Sequence, residues 1–164
     1  MKVGFIGVGN MGGPMCRNIV KRSNHQVTVF DLNASAVKAC TDLGATAGRS
    51  IADATSGADV VMTSLPMPKD VEAVALGNNG ILASIKPGQT YIDLSTNAPS
   101  MVQKIGAAMA AKGIAMLDAP VSGGTTGAIS GDVTNNGRLV FNRADPVAFG
   151  GTISGSGSLT QAGT

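Results

Sequence analysis

Glycines recur at a fixed spacing near the start of the chain, and an acidic residue follows them at a distance that could complete a binding site. GVGNMG, residues 7–12, fits the pattern G-x-G-x-x-G between a short apolar run and a stretch with helical spacing. Such a loop lets phosphate oxygens approach backbone N–H groups where the dipole of the following helix favours negative charge. Asp31 ends the next β-branched run, and a carboxylate there can accept hydrogen bonds from both hydroxyls of a ribose. The pattern indicates dinucleotide binding.

Asp31 also bears on which dinucleotide would bind. Its charge would repel a phosphate on the ribose, and Leu32 and Asn33 follow it where an arginine would favour that phosphate. The cofactor predicted is therefore NAD, with NADP disfavoured. Two structural alternatives stay open: the glycines could form an ordinary turn, and Asp31 could cap the next helix.

Elements that alternate along the chain must position these residues. β-favouring runs cover residues 2–9, 26–31, 58–66, 91–96 and 114–120. Helical spacing covers residues 10–23, 34–44, 69–76 and 97–113, with Asn97 predicted as a helix cap, and residues 78–90 are expected to be a loop with one helical turn. Regular alternation is typical of an α/β fold with a Rossmann-type, doubly wound, mainly parallel sheet.

Composition and charge exclude several classes of function. A net charge of +2, 3% aromatic residues and the lack of a Lys/Arg block give no indication of nucleic-acid binding. No apolar run approaches the roughly 20 residues needed to cross a membrane, and glycines interrupt the region where a signal peptide would be apolar. A cytoplasmic location is therefore expected. Cys16 and Cys40 lie among apolar neighbours and are predicted to be small buried thiols.

Three further stretches combine with the glycine loop. SLPMP (residues 64–68), YIDLSTNAPS (91–100) and LDAPVSGGTTGA (117–128) follow GFIGVGNMGGPM (4–15) in order. Together they resemble the 3-hydroxyacid dehydrogenase family, which includes 3-hydroxyisobutyrate dehydrogenase and tartronate semialdehyde reductase and is related to 6-phosphogluconate dehydrogenase. The resemblance covers residues 1–131, which are predicted to form a dinucleotide-binding domain.

The resemblance implies roles for individual residues. The glycine loop would hold the pyrophosphate, Asp31 the adenosine ribose, and Thr96 the nicotinamide side. The residues implied to bind the cofactor are Gly7, Val8, Gly9, Asn10, Met11, Gly12, Asp31, Leu65, Pro66 and Thr96. Ser122, Gly123 and Gly124 would bind the carboxylate of a small β-hydroxyacid substrate, since a hydroxyl and unhindered amides can converge there on an anionic oxygen.

The family's catalytic lysine has no counterpart in this sequence. In the family a hydride passes between the cofactor and a 3-hydroxy acid, and a lysine in a G-x-x-x-K-x-x-x-N helix of a following helical domain acts on the hydroxyl. The last lysine here is Lys112, and no such motif occurs. Loss of a general base typically costs about a hundred- to ten-thousand-fold in rate. We therefore assign no catalytic residue and no metal ligand, and expect a cofactor domain that is inactive alone.

Composition changes after Gly131. Residues 132–164 are rich in Asn, Thr, Ser and Gly and contain no lysine. They resemble the β-strand repeat of autotransporter passenger regions, and are predicted to be a β-repeat-like or disordered tail in which RLVFN (138–142) could join the sheet as an edge strand. Two alternative functions follow: a non-catalytic dinucleotide-binding module, or a fusion fragment of a secreted β-repeat protein.

Overall fold

Six parallel strands form one sheet. The computed structural model describes residues 1–121, 133–134, 138–141 and 153–161. The strand order is β3-β2-β1-β4-β5-β6, which is the order of a Rossmann sheet and confirms the predicted fold class. The strands are β1 Lys2–Ile6, β2 Gln26–Phe30, β3 Thr46–Ala47, β4 Val60–Thr63, β5 Thr90–Asp93 and β6 Ala115–Asp118.

Helices connect these strands and build two apolar cores. They are α1 Gly12–Arg22, α2 Ala34–Thr41, α3 Ile51–Thr55, α4 Pro68–Leu76, α5 Ile81–Ser84 and α6 Pro99–Ala111. Val3 and Phe5 of β1 pack in the core that includes residues of α1 and α2. The adjacent Ile6 packs in the core that includes residues of α3, α4, α5 and α6. Successive side chains of a strand point to opposite faces, so β1 is covered on both faces.

The two cysteines lie in the first of these cores. Cys16 and Cys40 are fully buried and unbridged. Burial raises the pKa of the Cys16 thiol well above its ordinary value, and the neighbouring Cys40 raises it further. Because the thiolate is the reactive form, this environment disfavours reaction at Cys16, and the burial predicted from the sequence for both thiols is confirmed.

Two elements and one cap differ from the sequence-based expectation. The two-residue strand β3 and the five-residue helix α3 were not predicted. Ser50 begins α3 by accepting a hydrogen bond from the Asp53 N–H at 3.1 Å, so the S-x-x-D spacing was the available signal. The prediction that Asn97 caps α6 is wrong: Ala98 is the cap residue, and the Asn97 side chain donates to Asp93.

Short strands beyond residue 132 pair separately from the main sheet. β7 (Val133–Thr134) pairs with β9 (Ile153–Ser154), and β8 (Arg138–Phe141) with β10 (Ser158–Gln161), both in parallel. The idea that residues 138–142 extend the six-stranded sheet is wrong, because the partner of β8 is β10. Contacts within the chain group residues 1–121 and residues 122–164 into two units. Within the described residues no helix is long and apolar enough to span a bilayer.

Two glycine substitutions should distinguish the effect of close packing on stability from the effect of helix propensity. A Cβ on Gly4 of β1 would lie 1.9 Å from the Ala54 carbonyl oxygen of α3, whereas one on Gly106 of α6 would meet only the Met116 sulfur at 3.9 Å. We expect Gly4→Ala to lower the free energy of unfolding by about 1–3 kcal/mol and Gly106→Ala to raise it by about 0.5–1 kcal/mol. Urea denaturation of both variants measures this, and equal effects would contradict the close packing of β1 on α3.

Candidate functional site

A cleft of about 780 Å³ opens at the carboxyl ends of β1, β2, β4 and β5. The sheet order explains its place. The chain leaves β1 towards α1 and β2 on one side, and it returns to pair β4 on the other side of β1. The loops after β1 and β4 therefore diverge, and ligands of open α/β sheets bind at such a point.

The glycine loop forms the floor of the cleft. Gly7 has φ +85°, a backbone conformation that residues with a side chain rarely adopt. A Cβ on Gly12 would lie 1.9 Å from the Gly7 carbonyl oxygen, so position 12 also requires glycine. Gly9 is different, because no atom outside its two chain neighbours lies within 4 Å of the position that its Cβ would take. α1 then starts with no side-chain cap on Met11 and no acidic residue in its first turn. Its positive end therefore faces no cap or acidic side chain of its own first turn and can meet an anion.

Val8 is the one residue of the predicted loop that does not line the cleft. The residues of GVGNMG that do are Gly7, Gly9, Asn10, Met11 and Gly12. The Val8 side chain is 2% exposed and packs in the core beside α1 and α2. Its backbone N–H donates to the Asp31 Oδ2 at 2.7 Å. Val8 therefore contributes an anchor for Asp31.

Asp31 stands at the end of β2 and joins two loops. Besides Val8, its carboxylate accepts a hydrogen bond from the Asn33 N–H, at Oδ1 and 2.8 Å. Asn33 is the N-cap of α2, since its side chain accepts from the Ser35 and Ala36 N–H groups. Asp31 is therefore not the cap of α2. It lines the cleft, and a carboxylate oxygen has lone pairs beyond those these bonds use.

The opposite wall comes from β4 and α4. Ser64, Leu65 and Pro66 lie at the end of β4 and line the cleft. Asp70, Ala73 and Val74 line it from α4, a set that sequence reasoning missed. Their i, i+3, i+4 spacing puts them on one helix face, and that spacing was the available signal. Among the described residues that line the cleft, Asp31 and Asp70 are acidic and none is Lys, Arg or His.

The loop after β5 closes the remaining side. Leu94, Ser95 and Thr96 line the cleft there, and Thr96 is exposed. The Ser95 hydroxyl oxygen accepts a hydrogen bond from the Leu65 N–H at 2.9 Å, which ties this loop to the one after β4. The structure thus brings Thr96 to the same cleft as Asp31 and the glycine loop.

The remaining candidate groups are the predicted carboxylate-binding residues and two lysines. Ser122, Gly123 and Gly124 fall outside the described residues. Lys104 pairs with Glu72 at 2.5 Å, and the Lys112 Nζ donates to the Leu82 carbonyl at 2.6 Å, so both side chains are engaged away from the cleft. The part of the chain that the structure describes contains no cluster of three or more His, Cys, Asp or Glu side chains that could hold a metal.

Comparison with known proteins agrees with this geometry. Residues 2–140 match the model of the NAD binding domain of 6-phosphogluconate dehydrogenase. The chain belongs to this family. The predicted identity of a dinucleotide-binding domain related to 6-phosphogluconate dehydrogenase is confirmed.

Individual relatives extend the comparison. An NAD-dependent L-serine dehydrogenase of Pseudomonas aeruginosa is 48% identical over 133 residues, which cover 81% of this chain and 44% of that protein. A 3-hydroxyisobutyrate dehydrogenase of the same organism is 44% identical over 148 residues, covering 88% and 49%. The solved structure of Mycobacterium tuberculosis 3-hydroxyisobutyrate dehydrogenase with L-serine superposes with a TM-score of 0.71 at 36% identity, covering 77% of this chain and 42% of that chain. This NAD-binding domain thus spans under half the length of each relative.

Gly9→Val tests the glycine loop as a phosphate site. Gly9 lines the cleft, and a Cβ built on it would contact no other part of the protein. The isopropyl group of valine would therefore extend into the cleft without a clash that strains the fold. We expect NAD affinity measured by calorimetry to fall at least about tenfold, or about 1.4 kcal/mol, while the melting temperature stays within about 2 °C. A variant that binds NAD as tightly as the parent would exclude residues 7–12 as the pyrophosphate site.

Proposed function

We propose that this domain binds NAD in the cleft, with the pyrophosphate at the amino end of α1 and the adenosine ribose at Asp31. One observation supports the proposal: three features lie in the same cleft. They are the start of α1, which has no side-chain cap, the free space beside Gly9, and the Asp31 carboxylate, which the Val8 N–H holds in place. The helix terminus favours negative charge. The carboxylate accepts hydrogen bonds from ribose hydroxyls at the other end of the same ligand.

The charges of the cleft support NAD over NADP. A phosphate on the adenosine ribose would lie beside Asp31, in a cleft whose described lining includes Asp70 and no basic side chain. Two like charges in a partly desolvated site repel, and no guanidinium or ammonium offsets them. The remaining cofactor contacts proposed are those of Leu65, Pro66 and Thr96, the last on the nicotinamide side.

The reaction proposed for the whole protein is hydride transfer between NAD and a small 3-hydroxy acid. Support comes from the related dehydrogenases named for 3-hydroxyisobutyrate and L-serine. Ser122, Gly123 and Gly124 are proposed to hold the substrate carboxylate, and residues 1–131 to form the dinucleotide-binding domain. No lysine or histidine lies among the described residues of the cleft, so we expect cofactor binding by this chain without rapid turnover. A cytoplasmic location remains a prediction from the sequence.

Substitution of Asp31 tests the cofactor proposal. We expect the parent chain to bind NAD at least about tenfold more tightly than NADP, and Asp31→Ala to narrow this ratio to within about threefold, because both the repulsion and the ribose hydrogen bonds are lost. Calorimetric titration with both cofactors gives the ratio. Asp42→Ala is the matched control, since it removes an exposed carboxylate that pairs with Lys38 away from the cleft. Equal affinity of the parent for both cofactors would overturn the assignment.

A second candidate concerns residues 132–164, for which a β-repeat was predicted. Val133 lies opposite Ile153 and Arg138 opposite Ser158, so in both parallel pairs the partner comes 20 residues later. VTNNGRLVF (133–141) and ISGSGSLTQ (153–161) share small residues, glycine and leucine at matching positions. Parallel pairing at one constant offset is the arrangement of successive turns in a β-solenoid. These observations favour a β-repeat module joined to the cofactor domain, as a fusion fragment of a β-repeat protein would have.

A proline substitution tests this second candidate. Leu159→Pro and Thr160→Pro each remove one backbone donor from β10 and restrict its φ. We expect the β8 amides of residues 138–141 to lose at least about tenfold of their hydrogen-exchange protection in at least one variant, while β1 amides and NAD affinity stay unchanged. Amides of residues 138–141 that already exchange freely in the parent chain would exclude the paired module.

A further inference from the structure

A carboxylate that no predicted role uses is buried beneath the cleft. Asp93, the last residue of β5, is 0% exposed. Its Oδ1 accepts hydrogen bonds from the Thr63 hydroxyl at 2.8 Å and from the Ser95 N–H at 3.0 Å. Its Oδ2 accepts one from the Asn97 Nδ2 at 2.8 Å. No salt bridge to Asp93 occurs among the described residues, so neutral donors alone hold this carboxylate.

The donors around Asp93 are fixed in direction. The single hydroxyl proton of Thr63 points to Asp93, so the Tyr91 hydroxyl, 2.9 Å from the Thr63 oxygen, must donate to Thr63. Burial raises the pKa of Tyr91 well above its ordinary value, and the Asp93 charge raises it further, which keeps that donor protonated. The chain Tyr91–Thr63–Asp93 therefore runs in one direction.

The Asn97 side chain leaves one buried oxygen without a hydrogen bond, and its contact with Asp93 offsets the energetic cost. An acceptor-only carboxylate requires the NH₂ side of the amide to face it, so the orientation of the Asn97 side chain is determined. Its Oδ1 is then buried without a hydrogen-bond partner in the structure. Leaving a buried acceptor unpaired is unfavourable, whereas a hydrogen bond to a charged group is stronger than one between neutral groups. The donation to Asp93 is the hydrogen bond that offsets this cost.

These hydrogen bonds hold the two residues on either side of Thr96, the cleft residue that is expected to contact the nicotinamide. Ser95 and Asn97 precede and follow Thr96, and both donate to Asp93. Ser95 also accepts from the Leu65 N–H of the opposite loop. Thr96 itself is exposed and lines the cleft, and its position follows from its two neighbours.

We propose that Asp93 is the positioning residue for the nicotinamide half of the cofactor cleft: by holding Ser95 and Asn97 it fixes Thr96 where the nicotinamide ring must lie. This inference rests on the proposed function, because it needs a dinucleotide in the cleft. It adds that the two halves of the site depend on different carboxylates, Asp31 for adenosine and Asp93 for nicotinamide. A residue that merely stabilises β5 would affect both halves alike.

Two ligands and an exchange of side chains test the proposal on the full chain. NADH contains the nicotinamide half, and ADP-ribose lacks the nicotinamide ring. In the parent chain the amide of residue 97 faces the carboxylate of residue 93. Asp93→Asn makes both side chains amides, and Asn97→Asp makes both carboxylates. The double variant again has one amide and one carboxylate, with their positions exchanged. We expect each single substitution to weaken NADH binding about five- to tenfold, as for loss of a hydrogen bond to a charged group. ADP-ribose binding should change less than about twofold, and the double variant should recover NADH affinity to within about twofold of the parent.

Milder variants keep the test decisive if Asp93→Asn does not fold. Asn97→Ala removes one donor at a half-buried position and should weaken NADH but not ADP-ribose, while Asn18→Ala on the exposed face of α1 is the control and should change neither. Equal losses for NADH and ADP-ribose, or no recovery in the double variant, would overturn the role of Asp93 and leave the proposed function standing. A parent chain that binds neither ligand would overturn both.

Discussion

The reversal of strand order at β1 is the constraint on which the rest of the site depends. β2 pairs with one edge of β1 and β4 with the other, so the loops that follow β1 and β4 separate at the carboxyl end of the sheet. The glycine loop fits into the gap because the Gly7 carbonyl lies against Gly12, closer than a Cβ at position 12 would allow. Every other cleft residue is placed by an element that leaves the sheet at this edge.

Polar contacts at the ends of the strands then give the cleft its chemistry. Asp31 follows β2 and Asp93 ends β5, and each carboxylate accepts hydrogen bonds from backbone N–H groups of the loops beside it. These bonds use the carboxylates as internal acceptors, which orders the loops without a basic side chain. A cleft built this way has fixed donors at the α1 terminus and the negative charge of Asp31 at its edge, an arrangement suited to a ligand that joins phosphates to a ribose.

Much of the first 121 residues could be predicted from local pattern. β-branched runs and helical spacing located the long elements, since those periods reflect burial on one strand face or one helix face. The short elements β3 and α3 carried too few residues for a period to emerge. The Asn97 prediction failed because the cap was judged from sequence alone, whereas the buried Asp93 carboxylate competes for the same amide. Beyond residue 132, short strands were indicated, but their partners were not, because pairing depends on residues 20 positions away.

The sequence by itself determined the glycine loop, the acidic residue after β2 and the alternation that makes a doubly wound sheet, because each depends on the intrinsic geometry of a few adjacent residues. Only the tertiary structure decided that Val8 faces the core and anchors Asp31, that α4 supplies Asp70, Ala73 and Val74 to the cleft, and that Asp93 holds both neighbours of Thr96. Those relations join residues that are distant in sequence or fix which way a side chain turns. They arise when parallel strands bring their carboxyl ends together, which no local pattern encodes.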